Sequence, residues 1–385
     1  MSGTAAPLAP CPPPSRPPPD SAAAGSGRLR PVVEADLPAI AALHRRAFDG
    51  APSARTSAEE LETLLREIVC GHPWPDRRLP SLVYEQEGAI VGFLGIMPRP
   101  MSFEGDPIVA AVGHNFMVDP RHRSSLAAVE LVRGFIAGPQ DLSLAEGTDT
   151  SRRLWTALGG TVAPAYSLRW TRLLAPARYG LGLVARRGAP VGWLAPLAAA
   201  ADLAARRFPG SPLGDRRPDL EAEPLDAATL AESIARLSAR RPLAPRYDAA
   251  TLDWMLGVLD RHAAGGTLRR VALRRAGVLA GWYLWFLRAG GAGGRVAEAV
   301  QVGATEEAAL DVVDHLLADA RRHGAVAVGG RLEPALMPAL SERLSLFHRG
   351  RGPSWLLAHS RDERILRAVH VGDAFLTRLE GEWWA

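Results

Sequence analysis

From Leu29 onward the apolar positions switch repeatedly between a helical period and a strand period. After Leu29-Arg30-Pro31, Leu37, Ile40, Leu43 and Phe48 recur at about every 3.6 residues, which predicts a helix. Ser81 to Gly88 and Ala89 to Met97 are two apolar runs meeting at Gly88, the pattern of two strands joined by a tight turn. The chain then predicts a strand at Ala110 to Val118, a helix from about Ser125 to Ile136, a strand at Leu142 to Glu146 and a helix through Leu154 to Leu158. Strand, crossover helix and strand in that order require parallel neighbours. The sheet is therefore expected to be mixed, antiparallel at the hairpin and parallel at the crossover.

The same order returns further on. Pro224, Leu230 and Ile234 open a helix, and Val271 to Phe286 repeats the hairpin around Gly277. Each hairpin has a second glycine four residues on, Gly92 in one and Gly281 in the other. The opening proline precedes the turn glycine by nearly the same interval in both halves (Pro31 to Gly88, Pro224 to Gly277), which points to an internal duplication. The expected organisation is a Pro/Ala-rich disordered tail over 1–27, a first domain over 28–175, a linker over 176–218 and a degenerate second copy over 219–385. The linker alternates Pro, Gly, Arg and small apolar residues around a short apolar helix near Val191 to Phe208 that packs across the junction or, alternatively, lies on a membrane surface.

Composition narrows the chemistry. With 385 residues and 47% apolar positions, two sizeable cores are available. All 45 basic residues are arginine. Schiff-base, phosphate-loop and kinase-type lysine chemistries are thereby excluded. The net charge of +4 is spread along the chain without an aromatic-interleaved basic run, so no nucleic-acid partner is expected. Cys11 and Cys70 form no C-x-x-C pair, and the histidines show no zinc-protease spacing, so no metal is expected. The longest apolar stretch, Val191 to Ala201, is too short to span a membrane, and a cytoplasmic protein is expected. No G-x-S-x-G elbow supports a serine hydrolase.

The segment Val118-Asp-Pro-Arg-His-Arg123-Ser-Ser-Leu-Ala-Ala128 lies where a strand hands over to a helix. Amides of a first helical turn point outward, the helix dipole favours negative charge, and Arg123 adds a formal cation, which together suit a pyrophosphate. Ser124 and Ser125 can cap the helix or donate to phosphate. The segment resembles motif A of the GCN5-related N-acetyltransferases, a valine-x-proline turn followed by Arg/Gln-x-x-Gly-x-Gly/Ala, through Val118, Pro120, Arg123 and Ala128. It departs at Leu126, where the family has glycine; helical spacing would let that side chain turn to the core beside Val129, Val132 and Ile136. The resemblance covers residues 29–170.

It implies an α/β fold class, two acetyltransferase-like domains in tandem, each a mixed sheet flanked by helices. It further implies acetyl-CoA, or another acyl-CoA, as co-substrate, held by Met117, Val118, Arg123, Ser124, Ser125, Leu126, Ala127 and Ala128. The acyl carbonyl would sit near the amide of Met117 or Val118, where strands part and a backbone donor stabilises developing negative charge. His114 and Glu146 are candidate general bases by position. Their structural alternatives are a hydrogen-bonded core histidine and a salt bridge from Glu146 to Arg152 or Arg153. Trp155 stands where the family places a proton-donating tyrosine, and indole cannot supply that proton; Ser151, Thr156, water or Tyr166 are the substitutes. The second half lacks the loop, and Glu306 and Glu307 place negative charge where phosphate would sit. Its Trp282, Tyr283 and Trp285 are either acceptor-site or core residues. The expected activity is N-acyl transfer to an amine of a small molecule or peptide by direct attack. Alternatives are a non-catalytic binding or scaffold protein and an aminoacyl-tRNA-dependent transferase. A homodimer is compatible with either half.

Overall fold

The computed structural model describes residues 27–48, 57–123, 125–214, 216, 218–262, 266, 268–289, 294–350, 354–376 and 379. The tail expected over 1–27 lies, apart from Gly27, outside the described residues, as does Ser124.

The first half runs β1 (Arg28–Pro31), α1 (Leu37–Ala47), α2 (Ala58–Leu65), β2 (Leu82–Gln86), β3 (Ala89–Phe103), β4 (Asp106–Val118), α3 (Ala127–Ile136), β5 (Leu142–Gly147), α4 (Asp149–Ala157), β6 (Thr161–Ala163) and β7 (Leu168–Leu173). Two helices follow, α5 (Pro176–Ala185) and α6 (Ala195–Arg207). The second half runs β8 (Glu221–Pro224), α7 (Ala227–Ser238), β9 (Leu243–Pro245), α8 (Ala249–His262), β10 (Arg269–Arg275), β11 (Val278–Ala289), β12 (Arg295–Ala304), α9 (Ala309–Arg322), β13 (Ala325–Arg331), α10 (Met337–Glu342), β14 (Leu346–Arg349), β15 (Trp355–His359) and α11 (Glu363–Val371).

The halves repeat one pairing scheme. β1·β2, β2·β3 and β3·β4 are antiparallel and β4·β5 parallel; β8·β10, β10·β11 and β11·β12 are antiparallel and β12·β13 parallel. Both hairpins turn on two residues with positive φ, Glu87 (52°) and Gly88 (74°), Ala276 (48°) and Gly277 (76°). That is the geometry that matches strand twist, and glycine at the second position adopts it without a Cβ penalty.

Sheet membership does not follow chain order. The first sheet runs β1-β2-β3-β4-β5-β15-β6 with β9 beside β3, and the second runs β14-β7-β13-β12-β11-β10-β8. The last strand of each half is thus exchanged: β7 lies between β13 and β14, and β15 between β5 and β6. Each exchanged strand covers the open edge of the other half's parallel strand, an edge that would otherwise offer unpaired amides and carbonyls.

One core joins both halves. Leu37, Ile40 and Leu65 from α1 and α2 pack with Leu230, Leu252 and Met255 from α7 and α8, between Phe93 of the first sheet and Trp282 of the second. On the outer faces, Leu131 and Phe135 of α3 cover the first sheet, and Val312 and Leu316 of α9 cover the second. Trp282, Tyr283 and Trp285 are all buried in these cores, so the structural alternative holds for them. The helix expected near Val191 to Phe208 is present as α6, and the stretch read as the start of the linker carries a second helix, α5. No described helix is long and apolar enough to cross a membrane.

Candidate active site

The site begins where two parallel strands part. β4 pairs with β5 from Ala110 opposite Leu142 to Gly113 opposite Ala145, and there the pairing stops. β4 continues to Val118 with only β3 beside it. In that stretch Gly95 faces His114 and Phe93 faces Met117, so Leu94 stands against two residues, Asn115 and Phe116. This is a bulge, and Asn115 takes φ of 49° to make it. A bulge bends the strand and breaks the in-out alternation, which turns the β5-side edge of β4 into a row of backbone groups with no strand partner.

A small cleft lies in the gap. Leu94, Phe116, Val132, Phe135 and Trp155 give it an apolar wall, and Glu146, Ser151 and His114 supply its polar groups. Small residues let the walls approach: a Cβ at Gly113 would lie 3.1 Å from the Phe135 ring, and one at Gly92 2.8 Å from Leu131 Cδ1. The second contact draws α3 onto β3 and thereby fixes the turn that precedes the helix.

That turn is anchored by Asp119, which is buried although charged. Its carboxylate accepts the Arg121 amide at 3.0 Å and pairs with Arg46 at 2.9 Å and Arg121 at 3.2 Å. The Arg121 guanidinium and amide and the Arg46 guanidinium hold its carboxyl far below the usual carboxylate range, against the opposing effect of burial. Ser125 Oγ accepts the Ala127 amide at 3.3 Å, and the first helical bond runs from the Glu130 amide to the Leu126 carbonyl. The amides of Ala128 and Val129 therefore stand at the open end of α3. Arg123 is exposed and makes no ion pair or side-chain hydrogen bond among the described residues. Leu126 does not turn to the core as its helical spacing suggests; it is 64% exposed, because its backbone precedes the first turn of α3 and the inward position is taken by Ala127. The turn is consequently not filled by its own leucine.

Glu146 stands one residue before the end of β5 and lines the cleft. Its partner is neither Arg152 nor Arg153: Oε2 lies 2.7 Å from the guanidinium of Arg331, at the end of β13 in the second sheet. Both side chains are buried, and Glu146 Oε1 has no hydrogen-bond partner among the described residues. An acceptor oxygen buried beside an apolar cleft calls for a donor. His114 is fully buried, its ring packed over Gly95, where a Cβ would come within 2.1 Å of Cε1. Burial, together with His72 and Arg99 nearby, pushes its pKa down to about 3, so the imidazole is neutral.

Trp155 is buried against Phe135, ring centroids 5.8 Å apart, and donates its indole N–H to the Ala358 carbonyl of β15 at 3.0 Å. Of the substitute proton donors, Ser151 lines the cleft. Thr156 bonds back to the Arg152 carbonyl at 2.8 Å. Tyr166 is buried in another core, donates to the Ala374 carbonyl at 2.5 Å and has its pKa raised far above normal by burial. Arg331 and the β15 contact with Trp155 were outside the reach of sequence reasoning, since both come from the far half of the chain.

In the second half, β12 hands over to α9 through Thr305 and a short turn at Glu306–Ala308, with Glu306 and Glu307 at the start. Among the described residues, no group of three or more His, Cys, Asp and Glu side chains stands together as a metal site would.

Four antiparallel strands, a bulged β4 splayed from a parallel β5, and a helix opening at the splay are set out twice in this chain. The fold is that of the GCN5-related N-acetyltransferases. A GCN5-related N-acetyltransferase from Anabaena variabilis ATCC 29413 superposes with a TM-score of 0.55 at 12% identity, over 86% of this chain and 72% of that one. A probable N-acyltransferase of Enterococcus faecalis V583 gives 0.54 at 12% identity over 86% and 72%. Saccharomyces cerevisiae N-myristoyltransferase with bound myristoyl-CoA gives 0.51 at 11% identity over 87% and 79%. No family model and no curated protein matches the sequence. The expected α/β class and the two acetyltransferase-like sheets are thus present, with their last strands exchanged.

Proposed function

We propose that the protein is an acyl-CoA-dependent N-acyltransferase, with acetyl-CoA as donor and an amine of a small molecule or peptide as acceptor. The observation that carries this reading is the cleft between β4 and β5, lined by Val132 and Phe135 of α3 and holding one buried carboxylate oxygen without a hydrogen-bond partner among the described residues. The residues fit the donor: Arg123 and the first amides of α3, spaced by Ser125, Leu126, Ala127 and Ala128, suit its diphosphate.

The backbone amide of Met117 or Val118, past the bulge, hydrogen-bonds the acyl carbonyl oxygen, where negative charge grows as the amine nitrogen attacks. Glu146 Oε1 is the base that takes the amine proton, directly or through a water. Arg331 orients that carboxylate, and neutral His114 serves as a packed wall. Once the C–N bond has formed, collapse of the oxyanion breaks the C–S bond, and the thiolate takes a proton from solvent relayed through the Ser151 hydroxyl, because the Trp155 indole cannot supply one. The second half supplies Arg331 and β15 to the site in place of a second donor loop.

Calorimetric titration of the full chain with acetyl-CoA tests the reading. Saturable binding is expected, with Arg123→Glu weakening it tenfold or more, about 1.4 kcal/mol. Absence of binding by the wild-type chain would overturn the acyl-CoA reading.

A further inference from the structure

Helix α6 carries its polar residue inward and its apolar residues outward. Its buried positions are Ala198 and Asp202, one turn apart. Asp202 points to α5, where it accepts the Ala177 and Arg178 amides at 2.8 and 3.1 Å and the Arg178 guanidinium at 3.2 Å. These charge-assisted bonds cap the N-terminus of α5 and set the rotation of α6. At 100° per residue the opposite side carries Leu197, Ala200 and Ala204, and Leu197 is 64% exposed. Trp193, just before α6, and Phe208, just after it, are each 73% exposed, and Leu203 and Val184 are exposed as well.

Charge on the same segment identifies what covers this face. Residues 176–210 contain Arg178, Arg186, Arg187, Arg206 and Arg207 and no acid other than the inward Asp202. Arg187 and Arg207 are exposed. A second copy docking through this patch by two-fold symmetry would set these arginines against their own equivalents, which disfavours it. An apolar strip with aromatic residues at both ends and long cationic side chains around it matches the interface of an anionic bilayer, where rings sit at headgroup depth and guanidinium groups reach phosphate.

We propose that α5, α6 and the Trp193 and Phe208 flanks form a membrane-docking element for anionic lipid surfaces. The element lies on the bilayer and does not cross it. This inference stands apart from the acyl-transfer reading, because none of its residues lines the cleft.

Sedimentation of the full-length protein with phosphatidylcholine vesicles, alone or with roughly one-third phosphatidylglycerol, tests it. Binding to the anionic vesicles is expected, declining as salt rises. The Arg187→Glu, Arg207→Glu pair is expected to lower partition about 30-fold, at ~1 kcal/mol for each arginine lost. Leu197→Glu is expected to lower it about tenfold or more through the apolar contact. These surface changes leave circular dichroism unchanged, which separates docking from folding. The proposal is overturned by failure to sediment, by equal binding to neutral vesicles, or by binding that Leu197→Glu does not reduce. It is equally overturned if the patch instead supports a concentration-dependent dimer or retention on polyglutamate with no vesicle binding.

Discussion

The ion pair between Glu146 and Arg331 ties the two halves together at the cleft, and its removal is a quantitative test of how the site is built. Glu146 stands one residue before the end of β5 in the first sheet and Arg331 ends β13 in the second, with side-chain exposures of 7% and 8% and a separation of 2.7 Å. Arg331 also donates to the Tyr166 carbonyl at 3.2 Å. Replacing Arg331 by leucine leaves a buried carboxylate without its cation, and breaking a buried pair from one side costs about 3–5 kcal/mol. Glu146→Leu strands the guanidinium in the same way. When both are replaced, no charge is left behind, so the double variant is expected to lose ~2–3 kcal/mol less than the sum of the singles. Urea unfolding of the four proteins in one buffer, followed by circular dichroism with m-values compared, measures the coupling. If the single losses add to within about 0.5 kcal/mol, the two side chains act independently and Arg331 does not hold the Glu146 carboxylate in the cleft.

Two further outcomes follow from the packing around β4. His114 is held neutral, with its pKa pushed down to about 3, whereas the unfolded chain protonates it near 6.5. Between those values the unfolded state binds the extra proton, so stability is greatest above pH 6.5 and falls as pH is lowered toward 3, by ~2 kcal/mol for this group by pH 5. His114→Gln should flatten that decline in urea midpoints measured from pH 7.5 to 5, and an unchanged slope would contradict the burial assigned to the ring. Gly95→Ala places a Cβ 2.1 Å from His114 Cε1, an overlap expected to cost ~1–3 kcal/mol. Adding His114→Ala to that variant is expected to recover part of the loss, and a purely additive double variant would show that the two positions do not meet.

Much of the fold was legible because it rests on local signals. The hairpins at Gly88 and Gly277 were marked by glycine at the second turn position, and the strand, helix and strand after Ala110 by a change of apolar period. The acidic turn before α9 was marked by Glu306 and Glu307. Leu126 misled, since periodicity places a side chain on a helix face only once the helix has begun, and its backbone precedes the first turn. Glu146 misled in its partner for another reason: Arg152 and Arg153 are near in sequence, whereas Arg331 is near in space.

What this sequence determined by itself was therefore the two hairpins, the strand, helix and strand after Ala110, their partial repetition and the junction at Val118 to Ala128, each encoded by side-chain periods and turn residues within a few positions of one another. Tertiary structure alone decided the exchange of β7 and β15, the bulge that opens β4 from β5, the neutral state of His114 and the cation that faces Glu146. These depend on which edge finds a partner and on what lies across a buried contact, and such contacts join residues up to two hundred positions apart that no local pattern relates.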